Sequence, residues 1–196
     1  MKKNKDHSTG IIFILLILGI AIIFYPHLAN LYNQKKTSKA ITSYVEKTKE
    51  LSPYICETAN TKISEYNNTL RNYPHTDGKL DDGLKNSYES LLNINGDGIM
   101  GYISIPKIGI EAPIFHYTSN QVLNFGVGHV EYSSLPGGGV STHTVLAAHS
   151  GLLGNYLFTD LNQLDIGDKF FLNILNETLV YEVVEIHCLN LYNFIN

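Results

Sequence analysis

The sequence predicts a mainly β protein, a small β-barrel or sandwich, preceded by a membrane-spanning helix and an amphipathic helical arm. From residue 94 onward, short segments of β-branched and aromatic residues alternate with Gly- and Pro-containing turns, which is typical of barrels and sandwiches. An uncharged apolar run fills residues 11–29. Apolar residues then recur at three- and four-residue steps up to residue 70, the pattern of amphipathic helix.

The composition is that of a folded domain. Of the 196 residues, 44% are hydrophobic and 16% are charged, a balance that supports a core. The net charge of −4, with interspersed signs, gives no reason to expect nucleic acid as a partner. The two cysteines, Cys56 and Cys188, are too few for a disulfide scaffold and lack zinc-module spacing, and no cofactor is expected.

Residues 11–29 predict a transmembrane anchor, because their length is near the roughly 20 residues that cross a hydrocarbon core. The preceding tail, residues 1–10, carries three lysines and is expected in the cytoplasm, with the bulk of the chain outside the cell. A cleaved signal peptide is the alternative, since the most apolar part covers only residues 11–24. The following segment, FYPHLANLYNQ, lacks a small-residue cleavage site.

Residues 30–72 form the predicted arm, which Pro53 should kink or split and whose apolar face needs a partner. Residues 73–93 are predicted to contain an exposed loop and a short helix. The loop lies within RNYPHTDGKLDDG, and both a plain connector and a functional lid stay open for it. In the helix, DDGLKNSYESLLN, Asp82 is the expected N-cap.

Residues 94–196 are expected to hold the β domain. Two short strands are predicted around Pro106 and Pro113, and a short helix capped by Ser119 and closed by Gly126 follows. THTVLAAH predicts a strand buried on both faces. LFTDLNQL predicts one or two helical turns, and GDKFFLNIL and ETLVYEVVEIHCL predict two more strands.

Histidines are the main candidates for chemistry. His149 follows the predicted strand and precedes a Ser-Gly pair, so it should sit at a strand end with space for a substrate, although a structural role is also compatible. His143, six residues earlier, should project from the same face of a regular strand. His129 follows a glycine, and we expect it in a turn with a structural role. A zinc site built from these three histidines lacks an acidic or thiolate partner nearby.

Cys188 is a weak candidate nucleophile. Adjacent strand residues point to opposite faces, so Cys188 cannot pair with His187. Pairing with His149 would require neighbouring strands, which the sequence leaves open. Buried cysteines usually behave as small hydrophobic residues, and Cys56 lies in the helical arm.

The order of segments resembles that of the class C, pilin-type sortases, the membrane-anchored cysteine transpeptidases of Gram-positive cell surfaces. The matching text is YNNTL in the arm, then LLNINGDGIMGYISIPKIGIEAPIFHYTSNQVLNFGVGHVEYSSLPGGGVSTHTVLAAHSGL, then LFTDLNQLDIGDKFFLNILNETLVYEVVEI. The resemblance implies a sortase-type β-barrel and partners that are pilins or other surface proteins bearing LPxTG-like signals.

The resemblance also implies roles for individual residues. The family's catalytic histidine occupies a GHRG or GHSG turn, which corresponds to His149, with His143 and Ser150 as candidates for the substrate groove. Asp77 is the candidate lid residue. The family's cysteine attacks the sorting signal after its threonine to form a thioester, and a lysine amine of the next pilin or a cell-wall amine then takes the acyl group. An arginine braces the substrate and the developing oxyanion.

The sequence departs from the family pattern. The family nucleophile ends a TLxTC strand, whereas Cys188 lies in EIHCLN, and Arg71, the only arginine, belongs to the arm. Gly78 follows Asp77 where the family lid usually has proline, and the usual C-terminal membrane helix is absent. We therefore expect a barrel without its last strands, truncated before its nucleophile and inactive as it stands. The alternatives are a non-catalytic, membrane-tethered pilin-binding or scaffold protein, an untranslated or pseudogene product, and an enzyme in which Cys188 replaces the nucleophile.

Overall fold

The predicted membrane span and the first part of the arm form one continuous helix. In the computed structural model, which describes residues 5–73, 80–151 and 157–187, helix α1 runs from Lys5 to Lys49 and contains Pro26. By length and composition this helix could cross a membrane, and its most apolar stretch is not buried against the protein. No break separates the span from the arm at residue 29.

The arm is divided at Pro53, as the sequence predicts. Helix α2 covers Pro53–Arg71, and the Ser52 hydroxyl caps it by accepting a hydrogen bond from the Ile55 amide at 3.4 Å. Proline is favourable at the first helical position because the missing amide hydrogen has no intrahelical partner there. The apolar face of α2 finds its partner in the β domain, where Ile63 and Leu70 join the core.

Helix α3 covers Asp82–Ser90, and its N-cap differs from the prediction. Asp81, not Asp82, is the cap: its Oδ1 accepts a hydrogen bond from the Leu84 amide at 2.8 Å. Asp82 is the first helical residue, where its carboxylate interacts favourably with the positive end of the helix dipole but does not cap the helix. Tyr88 and Leu84 are the buried residues of α3.

The β domain is one six-stranded sheet that curls into half of a barrel. The strand order is β4-β3-β2-β1-β5-β6, with β2 and β3 parallel and all other neighbours antiparallel. The strands are β1 (Ile99–Ile105), β2 (Ile110–His116), β3 (Val127–His129), β4 (Leu146–Ala147), β5 (Lys169–Ile174) and β6 (Glu177–Glu182). Across the described residues, helices contain more residues than strands, so the expectation of a mainly β protein fits the domain from residue 94 but not the whole chain.

Several predicted elements of the β domain are present. Pro113 lies within β2, and a 3-10 turn covers Pro106–Ile108 between the first two strands. Helix α4 (Asn120–Leu123) is capped by Ser119, whose hydroxyl accepts a hydrogen bond from the Val122 amide at 3.3 Å. A second 3-10 turn covers Leu161–Gln163. The two last predicted strands are present as β5 and β6, which pair antiparallel, but β6 ends at Glu182 and residues 183–187 are not in a strand.

The predicted strand over THTVLAAH is mostly wrong. Only Leu146 and Ala147 are in a strand, and both are half-buried rather than buried on two faces. Residues 142–144 instead line an open groove. The backbone amides of His143 and Val145 donate hydrogen bonds to the hydroxyls of Ser134 and Ser133, and the His143 carbonyl oxygen accepts one from the Ser134 amide. The apolar residues here therefore do not mark a central strand.

Candidate functional site

An apolar groove of about 650 Å³ lies against the sheet. Side chains of β1, β5 and β6 form its floor, among them Ile103, Phe170 and Leu179. The opposite wall includes His143 and Phe158. Such a groove, mostly apolar with a few polar groups, is suited to bind an extended apolar ligand.

His149 is not one of the residues that line this groove, but it is hydrogen-bonded to one of them. Its carbonyl oxygen accepts a hydrogen bond from the amide of Phe158 at 3.0 Å, and Phe158 lines the groove. Two residues later, Gly151 adopts a left-handed φ of 75° and donates its amide hydrogen to the Thr159 hydroxyl at 3.0 Å. The turn from His149 through Ser150 to Gly151 is therefore held to Phe158 and Thr159, of which Phe158 lines the groove. His149 is half-buried and Ser150 is exposed.

His143 and His149 do not share one regular strand, contrary to the spacing argument. β4 comprises only two residues between them, so a period of two does not relate their side chains. His143 is exposed and lines the groove itself. Asp77, the candidate lid residue, and Cys188 lie outside the described residues.

His129 is buried on β3, so the expectation that it lies in a turn is wrong. Its Nδ1 lies 3.1 Å from the Tyr88 hydroxyl, and its Nε2 lies 2.9 Å from the Ser134 carbonyl oxygen. Burial lowers the pKa of His129 to about 4, so the ring is neutral at physiological pH. Its contacts are those of a structural residue. Among the described residues, no group of three or more His, Cys, Asp or Glu side chains could hold a metal ion.

Neither Cys56 nor Arg71 lines the main groove. Cys56, the one cysteine among the described residues, lies on α2 and accepts a hydrogen bond from Asn176 at 3.4 Å, in a different cleft. Arg71 ends α2 and lines a pocket of about 210 Å³ that shares Gly138, Gly139 and Thr142 with the groove. Arm and groove are thus closer than their positions in the sequence suggest.

Sequence reasoning missed the polar network around His129. Tyr88, Ser133 and Ser134 make most of its contacts; Tyr88 lies on α3, and the two serines lie in the loop after β3. Their spacing has no periodicity or motif that indicates a shared site. Only the tertiary structure brings them together.

Comparisons with known proteins agree with the described geometry. A family model described as the Sortase domain matches residues 103–193. Sortase C1 from Streptococcus agalactiae has a similar solved structure, with 39% identity, a TM-score of 0.70, and coverage of 75% of this chain and 76% of that chain. Sortase C from Streptococcus pneumoniae matches with 31% identity, a TM-score of 0.62, and coverage of 74% and 72%.

Two further relatives extend the comparison. Sortase C from Clostridium perfringens SM101 has 37% identity and a TM-score of 0.58, with coverage of 74% of this chain and 72% of that chain. Sortase A of Streptococcus agalactiae serotype III (strain NEM316) is 24% identical over 189 residues, which are 90% of this chain and 66% of that protein. The chain thus spans about two thirds of the length of that relative.

Proposed function

The chain belongs to the sortase family, and from that premise we propose that it is the anchored arm and barrel of a cysteine transpeptidase in which His149 is the catalytic acid and base. The observation that carries this proposal is the hydrogen bond from the Phe158 amide to the His149 carbonyl oxygen, which joins the histidine to a residue that lines the apolar groove. Imidazole titrates near neutral pH and can both donate and accept a proton there.

The proposed reaction follows from a thiolate and an imidazolium facing one peptide bond. The thiolate attacks the carbonyl carbon of the threonine in an LPxTG-like signal, and the tetrahedral intermediate collapses to a thioester as the bond to the glycine nitrogen breaks. His149 gives its proton to the departing amine. An incoming amine of a pilin lysine or of the cell wall then loses a proton to His149, attacks the thioester, and releases the thiolate.

The groove supports a sorting signal as its ligand. Leu and Pro at the start of the signal match the apolar floor formed by Ile103, Phe170 and Leu179. His143 and Ser150, one on the groove wall and the other in the exposed turn, supply polar contacts for the threonine and glycine. The proposed partners are pilins or other surface proteins that bear such signals.

Helix α1 supports a single-pass arrangement at the cell membrane. We assign residues 1–10 to the cytoplasm, 11–29 to the membrane, 30–72 to the arm, 73–93 to a lid-like loop and short helix, and 94–196 to a partial barrel outside. Because α1 continues unbroken to Lys49, its part beyond the span could extend about 30 Å from the membrane at 1.5 Å per residue. The barrel would then lie where surface proteins and cell-wall precursors meet.

We further propose that a polypeptide of these 196 residues does not turn over substrate, whatever follows it in a longer protein. Cys56 lines a different cleft, and the EIHCLN context of Cys188 does not match the family's TLxTC strand. Among the described residues His149 therefore has no partner thiol, and from its sequence context we do not assign that role to Cys188.

The test is to express both this polypeptide and the longest protein that its source DNA encodes beyond codon 196, each in detergent micelles with an LPxTG peptide. We expect cleavage only from a longer protein that supplies a TLxTC strand. In that protein, His149→Ala should lower kcat/KM by about 10²- to 10⁴-fold, the range for a general acid–base group. His143→Ala should act mainly on KM. Cleavage by the 196-residue polypeptide that Cys188→Ala abolishes would instead assign the nucleophile to Cys188.

A second candidate is a non-catalytic, membrane-tethered protein that binds pilins. It is favoured by the groove itself, whose lining among the described residues is apolar and includes no cysteine. Direct binding of an LPxTG peptide to the 196-residue polypeptide, unchanged by His149→Ala and lost on replacing Leu179 with Asp, would support it. Absence of binding to both polypeptides would contradict both functions.

A further inference from the structure

Tyr88 is the centre of a buried polar network that joins α3 to the sheet. The side chain is fully buried, and its hydroxyl accepts a hydrogen bond from the Tyr117 amide at 3.1 Å. The same hydroxyl lies 3.1 Å from Nδ1 of His129 and 3.2 Å from the His129 carbonyl oxygen. The rings of His116 and Tyr117 pack edge-on against the Tyr88 ring, at 4.9 and 5.1 Å between centroids. Tyr88 therefore has little freedom to rotate or withdraw.

The contacts of His129 fix one tautomer of its ring. The Ser134 carbonyl can only accept a hydrogen bond, so Nε2, at 2.9 Å, carries the proton. Nδ1 then holds a lone pair, and it shares the single proton of the Tyr88 hydroxyl with the His129 carbonyl oxygen. Burial keeps the ring neutral, which is the form that this pairing requires.

Ser133 and Ser134 contact His129 and also form hydrogen bonds to the segment that precedes His149. The Ser133 hydroxyl, 3.3 Å from Nε2 of His129, accepts the Val145 amide hydrogen at 2.9 Å. Ser134 donates its amide hydrogen to the His143 carbonyl oxygen at 2.8 Å, and its hydroxyl accepts the His143 amide hydrogen at 3.1 Å. Both backbone groups of His143 are thus held by one serine.

The held segment continues directly into β4 and then to His149. In β4, Leu146 pairs with His129 and Ala147 pairs with Gly128. His149 lies two residues beyond β4, so a shift of the segment at Val145 would move the imidazole relative to the groove. Displacements of about 1 Å are enough to impair acid–base chemistry.

We propose that Tyr88 and His129 are positioning residues for His149. Tyr88 fixes the tautomer and place of His129, and His129 with its two serines fixes the segment that presents His149. This inference rests on the proposed catalytic role of His149. It adds that α3, the helix next to the lid-like region, is mechanically coupled to the catalytic histidine.

The test compares two tyrosine variants of the full chain in detergent micelles. Tyr88→Phe removes the hydroxyl that holds His129. Tyr66→Phe is the matched control, because its ring lies 6.4 Å from that of Tyr88 and its buried hydroxyl has no hydrogen-bond partner among the described residues. We expect Tyr88→Phe to accelerate amide hydrogen exchange at His143 and Val145 on the order of tenfold, the equivalent of about one lost hydrogen bond. Tyr66→Phe should leave it unchanged.

Two further readouts separate positioning from general stability. Nitrogen NMR of labelled histidines should show His129 losing its single tautomer in Tyr88→Phe only, and labelling of His149 by diethyl pyrocarbonate should change in rate. Equal exchange and equal His149 labelling in the two variants would overturn the proposal. None of these measurements needs turnover, so a protein that positions His149 in this way yet never cleaves a sorting signal would refute the proposed function alone.

A Tyr88→Phe variant that unfolds would be recognised by equally fast exchange at Ile103 and Leu172 in the central strands. In that case the proposal is tested with Ser133→Ala, which keeps the Tyr88–His129 pair but removes the acceptor of the Val145 amide hydrogen. That variant should accelerate exchange at Val145 and alter His149 labelling. Unchanged labelling of His149 would overturn the proposal in this case too.

Discussion

The Tyr44 hydroxyl of α1 donates a hydrogen bond of 2.9 Å to the carbonyl oxygen of Met100 on β1. The same hydroxyl accepts the amide hydrogen of Leu175, in the β5–β6 turn, at 2.8 Å. Tyr44 is 1% exposed, and burial raises its pKa to about 12, so it stays a protonated donor throughout the neutral range. One side chain of the arm thus satisfies two buried backbone groups of the sheet, and the arm and the barrel should unfold together.

Replacing Tyr44 with Phe should lower the free energy of unfolding by about 2–3 kcal/mol, because a buried carbonyl and a buried amide lose their partner. Urea denaturation of the full chain in micelles, followed by tyrosine fluorescence since the chain has no Trp, measures the change. Tyr54→Phe is the control, because Tyr54 is 76% exposed on α2 and should change stability by less than about 0.5 kcal/mol. Equal stability of the two variants would show that the arm does not depend on this contact.

The buried His129 predicts that the protein loses stability in mild acid. Its pKa falls from 6.5 to about 4 on folding, chiefly by burial, and a charge on the nearby His116 acts in the same direction. As the pH falls below 6.5 the unfolded chain takes up a proton that the folded chain refuses until about pH 4. The contribution of neutral His129 to the free energy of unfolding is fully present above pH 6.5. It should decline by about 3 kcal/mol between pH 6.5 and pH 4.

Urea denaturation at a series of pH values between 7 and 4 measures this decline. His129→Gln, which cannot titrate, should flatten the decline in this window even if it lowers stability at pH 7. His143→Gln, a change at an exposed position, should preserve it. A pH dependence that survives in His129→Gln would assign the acid sensitivity to other groups.

Features set by adjacent residues could be predicted from the sequence. Pro53 and Ser119 act within one turn of the helix they begin, and the β5–β6 hairpin has its strands next to its turn. The cap at Asp81 could not be predicted, because two consecutive aspartates have the same capping chemistry. The extended backbone of Asp81, with φ −66° and ψ 164°, decides between them, and that backbone depends on the path of the preceding loop.

The candidate site could be predicted only in outline. The resemblance indicates the turn at His149, but the segment before it is shaped by Ser133 and Ser134, which an apolar pattern cannot reveal. The glycine before His129 favours a turn when the sequence alone is considered. Gly128 is instead required within β3, because an added Cβ would lie 2.4 Å from the Tyr117 carbonyl oxygen. Such close approaches belong to tertiary packing.

Gly126 should tolerate no side chain. The sequence predicts this glycine as the end of the short helix α4, but the reason in the structure is its close approach to β2. A Cβ there would lie 2.6 Å from the Pro113 carbonyl oxygen and 2.7 Å from the Phe115 ring, and the β2 backbone cannot yield. We expect Gly126→Ala to lower the free energy of unfolding by about 1–3 kcal/mol in urea denaturation. Gly19→Ala, where nothing lies within 4 Å of an added Cβ and alanine suits a helix interior, is the control and should not lower the free energy of unfolding. Equal stability of the two would mean that β2 and α4 can separate at little cost.

Asn67 joins α2 to the loop that carries Ser133 and Ser134. Its Nδ2 donates to the Leu135 carbonyl oxygen at 3.1 Å, and its Oδ1 accepts the Leu135 amide hydrogen at 2.7 Å. Asn67→Asp keeps the shape but sets a buried carboxylate oxygen against the carbonyl. We expect a loss of about 2–3 kcal/mol at pH 7 relative to the unsubstituted chain.

The pH dependence of this loss distinguishes a lost hydrogen bond from poor packing. In the Asn67→Asp variant, a protonated carboxyl group could again donate to the Leu135 carbonyl. The folded pKa of that carboxyl should therefore be raised, and the deficit relative to the unsubstituted chain should shrink as the pH falls toward 4. Denaturation of both proteins at each pH measures that difference. Asn68→Asp, at an exposed position one residue on, should show no deficit at either pH. A deficit in Asn67→Asp that is constant with pH would mean that the side chain acts through its shape alone.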